Sequence, residues 1–278
     1  MKHLNLNWFS MLLWTASFTL VPLCVLCFFS VTNKNGGFTL TNFLKILDYQ
    51  HIILRSIVYA TLTTTFCLFV AYPFAYFIFK NLKQDSQKFL IVLIILPTLL
   101  SMLLRTFAWM TLLEKNGLIN KVLKLINLPP LKLINTPGAI ILVMIYDFLP
   151  FMILPIYGSI RQINSNIIDA SQDLGANELQ TCRKVILPRS LKGVFQGIEL
   201  VFVLSCSTFI VPRLMSGGTT ILIGDLIESK FMGTTYNPWL GSALALGLNV
   251  IIIIIIALTG KLGADRKGVE KNEPKIFI

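Results

Sequence analysis

Charge is the first thing this sequence lacks. Only 13% of its 278 residues are Asp, Glu, Lys or Arg, against roughly 25% in a soluble domain. Histidine is almost missing: His3 and His51 stand alone, so no imidazole metal centre is expected. The five cysteines are scattered, and Cys24-x-x-Cys27 has no second pair or nearby His to complete a metal site. They read as small buried hydrophobes. No Gly-x-x-x-x-Gly-Lys-[Ser/Thr] phosphate loop occurs, and Gly260-Lys261 runs on into Leu262 at the end of an apolar span. Gly-x-Ser-x-Gly and His-Glu-x-x-His are absent too. No catalytic residue, metal or cofactor is therefore expected, and the chain holds no nucleotide motor of its own.

What is present is hydrophobicity. Apolar residues make up 55% of the chain, with a mean hydropathy of +0.74. Six runs of about 20 residues or more are long enough to cross about 30 Å of hydrocarbon. They lie near 9–31, 56–79, 89–113, 138–158, 193–212 and 238–260. The fold expected is all-α, a polytopic integral membrane protein of six transmembrane helices. The first run follows Lys2 and His3 as a signal peptide would, but it is too long and lacks an Ala-x-Ala exit, so it is expected to be retained. The net charge of +11 would point to nucleic acid in a soluble protein; here basic loops are a matter of topology. With the N-terminus inside, fourteen Lys and Arg fall on inner segments and nine on outer ones. The bias is sharpest at Lys80, Lys83 and Lys88 in a short loop, so both termini are expected in the cytoplasm. Outer segments carry a short amphipathic helix near 118–126 and another near 221–231. Trp8, Trp109 and Trp239 fall near span ends, as an aromatic belt requires.

The one long polar island is 169–188, inside a loop counted from Ser159 to Lys192. It spells two short helices. Asp169 to Leu174 favours helix, and Gly175 stands where a left-handed cap is needed. Asn177 with Gln180 makes a capping box for the second helix, which Pro188 is expected to limit.

This island resembles the EAA loop of ABC importer permease subunits. Asp169, Ala170 and Ser171 stand at Glu-Ala-Ala, Gly175 at the glycine, Val185 at Ile and Leu187-Pro188 at Leu-Pro. Three positions depart conservatively and the spacing is intact. Tyr72-Pro-Phe-Ala-Tyr76, Arg105-Thr-Phe-Ala-Trp109, Leu149-Pro150-Phe151-Met152 and Leu222-Ile-Gly-Asp225 are similar to the spermidine/putrescine type of permease. The resemblance implies a type I importer permease fold as a single domain over 1–278. Within it, 159–192 is a cytoplasmic coupling loop and 261–278 a cytoplasmic tail. Asp169, Ala170, Ser171, Gly175, Ala176, Val185, Leu187 and Pro188 would then engage an ATPase dimer. A second, homologous permease and an extracytoplasmic binding protein would complete the assembly in the cell inner membrane, with no nucleic acid.

Three ionisable residues lie inside spans: Arg105, Asp147 and Glu199. A charge at mid-bilayer costs about 2.5–3.5 kcal/mol even on lenient scales, so each must face protein or water. Asp147, with Tyr146 and Tyr157 on the same span, and Glu199 are candidates for a cation pathway by charge pairing and cation–π contact. The alternative for Asp147 is a structural pair with Arg105, and for Glu199 a reach to the inner interface. The function expected is ATP-driven import of a small cationic solute, a polyamine by the resemblance, through alternating access. Its rivals are a permease for another small substrate and an ion-gradient-driven secondary transporter. The latter usually shows an internal repeat, and none is visible.

Overall fold

The residues that open the central helix show why it forms there. Thr136 is extended and its hydroxyl accepts from the Ala139 amide at 3.2 Å, while Pro137 takes the first turn, where a missing N–H costs nothing. In the computed structural model, residues 2–34, 36–233 and 235–271 are described, with side chains excepted at 2–9, 12 and 261–271. They form helices α1 (Lys2–Ser30), α2 (Thr41–Leu44), α3 (Gln50–Asn81), α4 (Gln84–Ile95), α5 (Met102–Leu113), α6 (Leu118–Leu125) and α7 (Pro137–Arg161). There follow α8 (Ser165–Asp173), α9 (Glu178–Thr181), α10 (Leu187–Ser207), α11 (Ile210–Met215), α12 (Ile223–Met232) and α13 (Pro238–Lys271). Among the described residues the only β feature is one isolated bridge, Thr32 to Phe38. Of the tail, 261–271 continues α13 and 272–278 lies outside the described residues, as does the side chain of Trp8.

α7 is the hub, packed between α3 and α10. Ile140, Met144, Met152, Ile156 and Ile160 are all fully buried. Association inside a bilayer gains nothing from hydrophobic transfer between helices, so close van der Waals contact must hold them. The facing surfaces are accordingly small. α3 presents Cys67, Ala71 and Ala75, each at 0% exposure. α10 presents Gly193 and Gly197, a Gly-x-x-x-Gly step where a Cβ at Gly193 would stand 2.3 Å from the Pro155 carbonyl oxygen. Outside this core, α1 packs on α13 and leaves Trp14, Phe18 and Phe28 exposed.

Among the described residues, five helices are long and apolar enough to cross a membrane, six if the bent pair α4–α5 counts as one span. That pair replaces the single third span expected over 89–113. α4 runs into a 3-10 turn at Leu96–Leu99, breaks, and restarts as α5 with a bend of 90°. Pro97, which has no N–H to donate, lies inside the 3-10 turn, and the chain leaves helix at Leu100 and Ser101, with ψ of 149° and 131°. The fifth span is also shifted. α10 begins at Leu187 and stops at Ser207, with Pro212 in the separate α11. Pro188 therefore does not limit the second loop helix. It sits in the first turn of α10, preceded by a π turn at Cys182–Ile186, whose wider register carries the chain past the carbonyl a proline ring would strike.

Candidate functional site

The polar loop folds as two caps set back to back. Asn164 caps α8, accepting from the Asn166 amide at 3.0 Å. At the other end Gly175 takes φ +82. Its amide donates to Gln172 at 2.8 Å and the Ala176 amide to Ser171 at 3.1 Å, which is the Schellman pattern that satisfies a helix C-terminus. One residue later the capping box appears as expected. The Gln180 amide donates to Asn177 Oδ1 at 2.9 Å and the Asn177 amide to Gln180 Oε1 at 3.0 Å. The Ser171 and Thr181 hydroxyls, 2.9 Å apart, tie α8 to α9.

The loop residues named from sequence do not all share one surface. Asp169, Ala170 and Gly175 are exposed, Ala176 and Ser171 half-buried. Val185 is half-buried in the π turn, and exposed Leu187 and Pro188 begin α10. Sequence reading missed the two most exposed apolar side chains at the tip, Leu174 at 89% and Leu179 at 78%. Their signal was available: two leucines flanking the cap of an otherwise polar turn. It also missed the anchor of the loop. Glu178 pairs with Lys80, at the end of α3, over 2.5 Å, and Tyr72 on α3 meets Ser190 on α10 at 3.1 Å.

A second constellation lies mid-span. Arg105 Nη1 stands 3.1 Å from Asp147 Oδ1, with side-chain exposures of 10% and 0%. The approach is ionic in distance but not aligned as a hydrogen bond, and neither Asp147 oxygen has a protein donor. One helical turn beyond Arg105, Trp109 meets Tyr146 edge-on, ring centroids 5.3 Å apart. Asp147 and Tyr146 are thus brought together, with Arg105 and Trp109 added. Tyr157 and Glu199 are elsewhere. The Tyr157 hydroxyl donates to Gln87 at 2.8 Å, and Glu199 accepts from Thr259 on α13 at 2.8 Å. Among the described residues no His, Cys, Asp and Glu cluster could hold a metal ion.

A bundle of membrane-crossing helices, a capped polar elbow at one end and an ion pair in its middle define a multi-pass membrane transport component. The family described as binding-protein-dependent transport system inner membrane component matches residues 4–262, and the chain belongs to it, as a permease subunit of an ABC importer rather than its ATPase. The chain is 31% identical to the spermidine/putrescine transport system permease protein PotB of Haemophilus influenzae, over 87% of this chain and 88% of that protein. Against the protein of the same name in Escherichia coli it is 32% identical, over 79% and 80%. Among solved structures it is similar to a bacterial ABC transporter that imports the acidic polysaccharide alginate, with TM-score 0.76 and 16% identity over 95% of this chain and 96% of that one. A bacterial alginate transporter in complex with a pentasaccharide-bound periplasmic protein gives TM-score 0.79 and 16% identity over 93% and 92%. At that identity the likeness to the alginate systems is one of fold.

Proposed function

We propose that this permease moves a polyamine, spermidine or putrescine, across the cell inner membrane by alternating access driven from an ATPase dimer. The observation that carries the substrate is the 31–32% identity to permeases named for those two polyamines. The mid-span chemistry supports it. Asp147 keeps both oxygens free of protein donors beside the Trp109–Tyr146 pair, so an incoming ammonium has a carboxylate to pair with and ring faces to lie against. Glu199 and Tyr157 are assigned to the same pathway at other depths.

The loop 159–192 is the proposed coupling element, and cytoplasmic, as are both termini. Leu174 and Leu179 add an apolar knob to the surface formed by Asp169, Ala170, Ser171, Gly175 and Ala176, with Val185, Leu187 and Pro188 joining it to α10. ATPase closure would push on this elbow, whose paired caps leave it little freedom to yield. The permease then needs contacts that differ between its two states. A second homologous permease and an extracytoplasmic binding protein complete the importer, the latter in keeping with the family description. The test is uptake of labelled spermidine by a strain lacking only this gene, with and without it restored, under competition by putrescine and unrelated cations. Restored uptake that polyamines alone suppress supports the reading. Uptake unaffected by loss of the gene would overturn it.

A further inference from the structure

The Gln87 side chain makes three hydrogen bonds that join two parts of the chain, the end of α3 and α7. Its Nε2 donates to the carbonyls of Phe79 at 3.0 Å and Leu82 at 2.9 Å, and its Oε1 accepts from the Tyr157 hydroxyl at 2.8 Å. The orientation of the amide follows from chemistry. Carbonyls can only accept, so the nitrogen must face Phe79 and Leu82 and the oxygen must face the phenol. Phe79 belongs to the last turn of α3, whose carbonyls lack helical partners. Gln87 sits in the first turn of α4 and reaches back to close that end. Tyr157 is buried on α7, at 7% exposure.

The same last turn of α3 carries Lys80, the residue that holds Glu178 of the loop. A crevice between them is walled by Phe79, Ile168, Gln172 and Ile186. The loop, the end of α3, Gln87 and Tyr157 thus form one unbroken series of contacts into α7. Between Tyr157 and Asp147, ten residues or about 15 Å along the helix, stand Pro150 and Pro155. Each removes a backbone hydrogen bond and makes a point where the helix can bend.

We propose that Gln87 is a positioning residue of transport: beside the chain's own passage from α7 into the loop, it is a second joint, through which movement of the loop and the end of α3 reaches the inner half of α7 at Tyr157. That half pivots at its prolines and changes how Asp147 faces Arg105. The inference rests on the reading of the loop as the ATPase-docking element, and it concerns residues with no place in that docking surface.

Tyr157→Phe cuts this joint at one point and leaves the α3–α4 turn closed, since both carbonyl bonds of Gln87 stay. Gln87→Leu cuts it on both sides. The experiment is hydrogen–deuterium exchange on the complete transporter in lipid nanodiscs, with and without ATP and vanadate, and it needs no transported substrate. In the parent, nucleotide changes exchange in both the loop peptide 165–181 and the α7 peptide 147–158. In Tyr157→Phe the loop response stays and the α7 response falls about fivefold or more, the low end of typical coupling between sites. The double variant with Gln87→Leu falls no further than Gln87→Leu alone. A hydrogen bond with a purely structural role would lower the yield of complex and leave the α7 response whole. An undiminished α7 response in Tyr157→Phe overturns the joint. A parent whose loop does not respond to nucleotide overturns the docking reading, and the joint with it.

Discussion

Replacing Asp147 by Asn takes the countercharge from Arg105 and changes almost nothing in volume. The Arg105 side chain is 10% exposed and its Nη1 lies 3.1 Å from the carboxylate. At that distance and an effective dielectric near 20, the attraction is about 5 kcal/mol, comparable with the roughly 3–5 kcal/mol lost when one partner of a buried pair is removed. The pair lacks hydrogen-bond alignment, so the low end, about 3 kcal/mol, is the expectation for Asp147→Asn. Removing both charges, as Arg105→Met with Asp147→Leu, leaves no unpaired charge and is expected to be as stable as the parent or up to about 4 kcal/mol more stable. The measurement is reversible unfolding in mixed micelles with graded denaturing detergent. A single variant as stable as the parent, or a double as unstable as the single, would refute the pairing. Uptake then separates two roles. The double variant folds but lacks the carboxylate, so it should transport poorly if Asp147 receives ammonium groups. Near-parent transport would reduce Asp147 to a structural partner.

At Gly175, φ is +82 and nothing beyond its chain neighbours lies within 4 Å of where a Cβ would stand, so Ala there meets only the left-handed backbone penalty, roughly 1–2 kcal/mol. Gly175→Ala should insert and retain part of its uptake, whereas Gly175→Pro fixes φ near −65° and should insert yet lose uptake; substantial transport by the proline variant would count against the elbow. Gly193→Ala should cost more folded protein than Gly197→Ala. A Cβ at Gly193 meets the Pro155 carbonyl at 2.3 Å, but at Gly197 the tightest neighbour is the flexible Met152 Sδ at 2.6 Å; yields in the reverse order would refute the packing. Near the opposite end of the bundle, burial holds the Asp225 carboxyl above its usual range, Arg213 opposes this and Glu228 adds to it. A raised carboxyl favours the fold most below the unfolded value of about 3.9 and loses that advantage as pH rises through its folded value. Asp225→Asn should therefore flatten the fall in stability above about pH 4, and an unchanged slope would exclude Asp225 as its source.

The loop was legible because its signals are local. A glycine cap and a capping box are set by residues within six positions of one another, and Gly175, Asn177 and Gln180 behave as their spacing requires. The amphipathic helix near 221–231 was legible for the same reason, and appears as α12. The spans were legible in number but not in shape. Hydropathy sees the apolar content of 89–113 and does not see that the chain turns through 90° between Leu99 and Met102. Pro188 misled in the opposite sense. A proline rule stops a helix, but here the π turn at Cys182–Ile186 absorbs the misfit and the helix continues.

What stayed hidden depends on which helix ends meet. Gln87 reads in sequence as one more polar residue in a basic turn, and only the arrival of Tyr157 from 70 positions away gives its amide oxygen a partner. Gly193 and Gly197 were visible as glycines, yet their service to α7 needs Pro155 and Met152 opposite them. The Arg105–Asp147 pair lies between. Burial of two opposite charges in apolar spans demands that each find compensation, so a pair was foreseeable, while its distance and its lack of hydrogen-bond alignment were not. That lack bears on the proposed function. A carboxylate held by two aligned guanidinium bonds would be saturated and strongly committed to its partner. On the proposed pathway, one held at 3.1 Å without alignment would be loose enough to exchange its partner for a cation of comparable charge.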